Sequence, residues 1–275
     1  MRIARGGSAA AGLALCLGAL FACGGGSGGG SGGAPSGTPG TAAPSGSGSR
    51  GATAGGTSVL KGKVIVLDPG HNGGNAGHPE EIGRQVFVGN GSKACNTTGT
   101  ATAEGYAEHA FTWDVAGRLA RLLRDRGASV TLTRRDDTGV GPCVDERAAI
   151  ANRLRADAAL SIHGDGAAPS GHGFHVIEPL PVGGNAGIVA PSARLGTAIR
   201  DAYRDGTGVP PATYVGLDGL DRRDDLGGLN LSRVPAVFIE CGNMRNTGDA
   251  AQMSSAPFRQ RMAEALARGF EHYLG

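Results

Sequence analysis

The pattern of apolar and polar positions divides the chain near residue 59. Before that point only residues 9–22 form an apolar stretch; beyond it, short apolar runs alternate with segments of helical period. Residues 63–67 are one such run, closed by Asp68-Pro69-Gly70, and read as a buried strand. Residues 73–105 are polar and Gly-rich and read as loops with a hairpin among them. Long segments of that kind in a compact domain are usually binding or active-site loops. The clearest helix covers residues 107–126, where Phe111, Val115, Leu119, Leu122 and Leu123 recur at helical spacing and Gly127 stops it. Residues 128–133 alternate as a strand, and a helix starts near Asp145 and runs through Arg155. Residues 158–163 and 173–178 read as two further buried strands. Residues 191–204 read as helix, 205–232 mostly as loop, and 236–240 as a last buried strand. Residues 256–274 close the chain as an amphipathic helix with Phe258, Met262, Leu266, Phe270 and Tyr273 inward. Strands alternating with helices predict one α/β domain, a mostly parallel mixed sheet flanked by helices on both faces.

Composition separates the N-terminal part from this domain. Residues 24–57 hold 15 Gly and 6 Ser among 34 positions, with Arg50 the only charge, so they have no apolar face with which to offset ordering. Arg2 and Arg5 precede the apolar residues 9–22, a stretch too short for a bilayer span of ~20 residues but suited to a secretory signal. Leu20-Phe21-Ala22-Cys23 resembles a bacterial lipobox. The expected organisation is therefore a lipoprotein-type signal at 1–22, a lipid-anchor cysteine with a flexible linker at 23–58, and a folded domain at 59–275. Such a protein is exported to the cell envelope, tethered to the membrane through Cys23, and works as a monomer.

Charge excludes one class of partner. The formal net charge of +2 includes Arg2, Arg5 and Arg50, and residues 1–58 contain no acid. The remaining part carries 23 basic against 24 acidic residues, which is no nucleic-acid footprint. Export also sets the reading of the cysteines. With Cys16 in the signal and Cys23 lipidated, Cys95 and Cys143, both in loop-like contexts, are expected to pair, leaving Cys241 a buried thiol.

Three apolar strands end in residues with chemistry: the first reaches His71 through a tight turn, the second ends at His163, and the last ends at Glu240. In open α/β sheets ligands sit at the carboxyl ends of strands, so two imidazoles and a carboxylate are placed to converge. Glu108 stands in the first turn of the long helix. There it either complements the helix dipole or joins the two histidines, since two His and one Glu with an open position form a catalytic zinc arrangement. His109 and Glu104 are its close alternatives. His78, His109, His172, His175 and His272 have no spacing that requires a metal. Asp68 is either a partner holding an imidazole's second nitrogen or a turn-forming residue before Pro69. Asp224, Asp225 and Asn230 either contact substrate or cap loops.

Val64-Ile65-Val66-Leu67-Asp68-Pro69-Gly70-His71 resembles the first motif of the zinc-dependent N-acetylmuramoyl-L-alanine amidases, the cell-wall amidases. Ser161-Ile162-His163-Gly164-Asp165 is similar to the second histidine motif of that family, and 235–243 to its C-terminal catalytic motif. Thr133-Arg134 and 146–152 match stretches between them. The resemblance runs in order through 61–274. It implies one zinc ion held by His71, Glu108 and His163, with Glu240 as catalytic acid/base. The bond cut is then the amide between N-acetylmuramic acid and L-alanine of the peptidoglycan stem peptide. Asn72, Asn75 and Cys241 depart from the usual pattern without touching a ligand position. Two rival readings are a non-catalytic peptidoglycan-binding module, which would have no need of Glu240, and a zinc carboxypeptidase acting on stem peptides.

Overall fold

In the computed structural model the described residues are 59–275; the expected signal, lipidation site and linker lie outside them. The elements follow in chain order as β1 (Val64–Pro69), α1 (Pro79–Gly83), β2 (Gln85–Phe87), β3 (Ser92–Ala94), α2 (Glu108–Asp125), β4 (Ser129–Leu132), α3 (Val144–Leu154) and β5 (Ala158–Asp165). They continue as β6 (His175–Pro179), α4 (Ala186–Thr207), β7 (Leu220–Arg223), α5 (Gly227–Asn230), β8 (Ala236–Asn243), α6 (Thr247–Ser254) and α7 (Ala256–Leu274). The main sheet has six strands in the order β4-β1-β5-β8-β6-β7, and β2 pairs with β3 in a separate hairpin. β4, β1, β5 and β8 run parallel, while β6 is antiparallel to β8 and parallel to β7.

Alternation along the strands assigns the two faces. Ile65, Leu67, Leu160, Ile162, Val237 and Ile239 point into the larger core, built with Phe111, Leu119, Tyr203, Leu266 and Phe270 from α2, α4 and α7. Val66, Ala159, Ile177 and Ala236 point the other way, onto Ala151 of α3 and Leu229 of α5. The chain steps from β1 to β4 on one side and then to β5 on the other, so β1 and β5 flank a topological switch point. A crevice opens at such a point outside the carboxyl ends of the strands.

The expected fold class is the observed one, with local corrections. The helix expected from residue 191 begins at Ala186, with Pro191 inside it. Residues 205–232 contain β7 and α5 as well as loop. These elements are four residues each, too short to display a period. α6 lies in a segment that gave no apolar signal because its buried positions are Asp249, Ala250 and Met253. β5 and β8 run past the apolar residues to Asp165 and Asn243. Ladder hydrogen bonds, unlike hydrophobic patterning, continue through polar side chains. Cys95 and Cys143 form the expected disulfide, and Cys241 is a buried free thiol.

Candidate active site

The turn after β1 is built around two buried arginines. Arg147 of α3 uses all its guanidinium donors. Nε donates to the Pro142 carbonyl (2.9 Å), Nη1 to Asp68 Oδ1 (2.5 Å) and Pro69 O (2.8 Å), and Nη2 to His71 O (2.8 Å) and Gly141 O (3.1 Å). Arg134, just past β4, donates to Pro69 O from its Nε (3.0 Å) and to His109 O from Nη2 (2.8 Å). Two cations thus grip one turn. Held this way, His71 adopts φ of 58°, a left-handed conformation uncommon for a residue with a side chain. Gly70 is needed for a different reason: a Cβ there would overlap the His163 imidazole, with Nδ1 and Nε2 both 2.6 Å away.

His71, Glu108 and His163 meet above the β1/β5 switch point. Glu108 Oε1 lies 3.0 Å from His71 Nε2 and 3.0 Å from His163 Nδ1. Among the described residues these three form the group able to hold a metal ion, with one ligand atom from each within 4.8 Å of the others. Glu108 is buried and fixed: its Oε2 accepts from the Thr100 amide (2.9 Å) and Oε1 from the Gly164 amide (3.2 Å). The alternatives are placed elsewhere, with His109 on Asp137 (2.9 Å) and Glu104 exposed.

Each imidazole is oriented from behind. His71 Nδ1 faces the Thr97 carbonyl at 3.1 Å, and Asn75 donates to the same carbonyl (2.8 Å). The Thr97 hydroxyl lies at 3.1 Å from the same nitrogen; with the carbonyl, which only accepts, taking the Nδ1 proton, Nε2 is the nitrogen left to present a lone pair. The His163 ring stacks on Phe238 with centroids 5.2 Å apart and planes inclined by 9°. Three donors converging on one spot, each with its outer atoms satisfied by protein, fit a divalent cation with nitrogen and oxygen ligands such as zinc.

Glu240 pairs in register with His163 on one side and with His175 on the other. Cross-strand partners point to one face, so Glu240 opens into the same cleft, of about 490 Å³, that His71, Glu108 and His163 line. Its Oε2 is buried with no hydrogen-bond partner among the described residues. Burial, then the negative charges of Glu108 and Asp165, push its pKa well above the ordinary carboxyl value, with Arg223 opposing them. A carboxyl tuned upward suits a group that both takes and gives a proton near neutrality.

A potential metal-binding triad, a tuned carboxyl beside it and the β1/β5 switch point underneath thus define one cleft. Residues 65–272 match the family described as N-acetylmuramoyl-L-alanine amidase. The chain belongs to that family. It is 46% identical over 216 residues to the N-acetylmuramoyl-L-alanine amidase Rv3717 of Mycobacterium tuberculosis, covering 78% of this chain and 88% of the relative. The crystal structure of the amidase Ami1 from Mycobacterium smegmatis superposes with a TM-score of 0.74 at 46% identity, covering 78% of this chain and 98% of that one. Ami1 from Mycobacterium abscessus gives 0.74 at 44% identity, covering 78% and 100%.

For an amidase of this family, the supports around the cluster carried little signal in the sequence. Arg147 and Arg134 fall in the two intermediate stretches that resemble the family, and the structure shows why those stretches matter: they clamp the His71 turn. Thr97 gave no signal, because a main-chain carbonyl has no sequence signature, and Asn75 stood out as a departure from the family pattern. Asp68 does not contact an imidazole directly. Asn230 is buried and structural, donating to the carbonyls of Val88 (2.9 Å) and Asp224 (2.7 Å). Asp225 sits on the cleft wall between Arg223 and Lys93.

Proposed function

We propose that this chain is an exported zinc amidase that hydrolyses the amide joining N-acetylmuramic acid to the L-alanine of peptidoglycan stem peptides. One zinc ion is held by His71, Glu108 and His163, and Glu240 is the acid/base. The observation that carries this reading is the convergence of the three donor atoms within 4.8 Å, beside a carboxyl with a buried unpartnered oxygen. A bound zinc supplies a Lewis acid for the scissile carbonyl and a water that ionises near neutral pH.

The protein groups do the rest. Glu240 accepts a proton from the attacking water and delivers it to the departing amine, roles that need one carboxyl within hydrogen-bond reach of both. Phe238 lines the cleft and supports the His163 ring. The lactyl and peptide portions lie along the cleft wall formed by Ala94, Val144, Leu226 and Ile177. Residues 59–275 form the catalytic domain. Residues 1–22 are the signal, Cys23 is the lipid anchor, and 23–58 the linker that ties the enzyme to the membrane face of the envelope. No described helix is long and apolar enough to cross a membrane. The enzyme acts as a monomer.

Defined muropeptides incubated with the zinc-loaded protein, followed by mass spectrometry, test the reading. Release of the intact stem peptide with a free L-alanine amine is expected. Release of a C-terminal amino acid would instead identify a carboxypeptidase, and unchanged substrate with retained binding a wall-binding module. Glu240→Ala keeps zinc and loses cleavage, whereas His71→Ala loses zinc.

A further inference from the structure

Behind His163 runs a chain of hydrogen bonds that the amide hydrolysis itself does not use. His163 Nε2 lies 3.1 Å from Ser161 Oγ, and Ser161 Oγ lies 2.6 Å from Asp68 Oδ2. The other carboxylate oxygen, Asp68 Oδ1, accepts from Arg147 Nη1 (2.5 Å) and from the Thr133 hydroxyl (2.5 Å). Ser161 is buried, and it is the register partner of Asp68 across β1 and β5. The sheet therefore sets this contact, and no loop is involved.

We propose that Ser161 and Asp68 are positioning residues that dictate which nitrogen of His163 faces the metal site. The inference rests on the assignment of His163 as a zinc ligand. Its logic is donor counting. An ionised carboxylate held by a guanidinium only accepts, so the single proton of Ser161 goes to Asp68. The hydroxyl oxygen can then only accept from the ring, which requires the proton on His163 Nε2. Nδ1 is left with its lone pair, on the side where it lies 3.0 Å from Glu108 Oε1. His71 is arranged the opposite way, with Nδ1 bound to the Thr97 carbonyl and Nε2 facing Glu108. The two histidines thus present different nitrogens, each selected by an acceptor behind it.

The same counting separates two substitutions that would look alike if the residues served packing alone. Ser161→Ala removes the selector and leaves the ring free to choose. Asp68→Asn does more: its amide can donate to Ser161 Oγ, turning the hydroxyl proton towards Nε2 and favouring the proton on the ligand nitrogen. Ser161→Thr keeps the hydroxyl, and a cavity of about 30 Å³ lined by Ser161, Ala151 and Ala159 can receive the methyl group.

The test measures zinc affinity of the purified full-length chain by chelator competition, with cadmium substitution and NMR of labelled histidines. Ser161→Ala is expected to weaken zinc binding by about 10–100-fold and Asp68→Asn by at least as much, while Ser161→Thr stays within about threefold of the parent. Cadmium coupling is expected at Nδ1 of His163 and Nε2 of His71. A Ser161→Ala variant within about twofold of the parent, or metal bound through Nε2 of His163, overturns this inference alone. A parent chain that takes up no zinc overturns both this and the proposed function. Should Asp68→Asn fail to fold, the alanine and threonine variants at Ser161 and the coupling pattern still decide the question.

Discussion

Replacing Arg147 with alanine probes the clamp on the His71 turn, and the structure allows the cost to be located. Three of the four carbonyls that Arg147 serves retain another donor. Pro69 O keeps Arg134, Gly141 O keeps Asn72, and Pro142 O keeps Asn96. The loss falls on His71 O and on Asp68, which keeps only the Ser161 and Thr133 hydroxyls. Removing one partner of a buried ion pair costs about 3–5 kcal/mol.

The Asp68 part of that cost has a pH signature. Burial pushes this carboxyl up, but Arg147, with the Ser161 and Thr133 hydroxyls, brings it from 3.8 down to about 2. A pKa lowered on folding contributes stability that is present above about 3.8 and is lost as pH falls through about 2. The shift corresponds to about 2 kcal/mol. Without the guanidinium, burial dominates, the carboxyl titrates higher than in the parent, and its protonated form needs no cation. The stability gap between parent and Arg147→Ala should therefore be largest at neutral pH. It should narrow by at least about 1 kcal/mol between pH 7 and pH 3.

Urea unfolding of metal-free, disulfide-intact protein measures this gap, with fluorescence of the single tryptophan, Trp113, as the probe. Trp113 lies under the Arg134 guanidinium at 4.9 Å, so it reports on the second half of the clamp. A gap below about 1 kcal/mol at pH 7, or one that does not change with pH, would refute the assignment of Arg147 as the group that holds the turn and keeps Asp68 ionised.

The other predictions concern the site and its scaffold. Gly70→Ala places a methyl group into the His163 ring; zinc affinity by chelator competition should fall at least about tenfold with the fold retained. Arg223 lowers the Glu240 pKa against burial and nearby acids. Arg223→Leu should thus move the acidic limb of the kcat/KM profile to higher pH, because the base must be ionised to accept a proton. Reducing the Cys95–Cys143 disulfide opens a loop with a separation of 48 residues. The chain-entropy cost is about 4 kcal/mol at most, and a thermal melt with and without reductant should show the drop.

Much of this architecture was legible in the chain itself. Strands β1, β5 and β8 appear as apolar runs because they are buried on both faces, and α2 and α7 appear because each has a single apolar stripe. The same runs end at His71, His163 and Glu240, so strand ends and chemistry could be read together. The Cys95–Cys143 pair followed from their loop contexts. What stayed hidden had weaker local signals. β7 and α5 are shorter than the periods that would reveal them, and the start of α4 is masked by Pro191, which reads as a helix opener while lying one turn inside.

The sequence by itself determined the strands, the long helices and the residue types at the strand ends, because burial and periodicity are local properties of the chain. Only the tertiary structure decided that Glu108 and not His109 joins the histidines, and that Arg147 holds the turn. The same is true of the opposite nitrogens that His71 and His163 turn towards the site. The nitrogens depend on which acceptor stands behind each ring, and those acceptors, the Thr97 carbonyl and the Ser161 hydroxyl turned by Asp68, are set by pairing and packing between residues far apart in the chain.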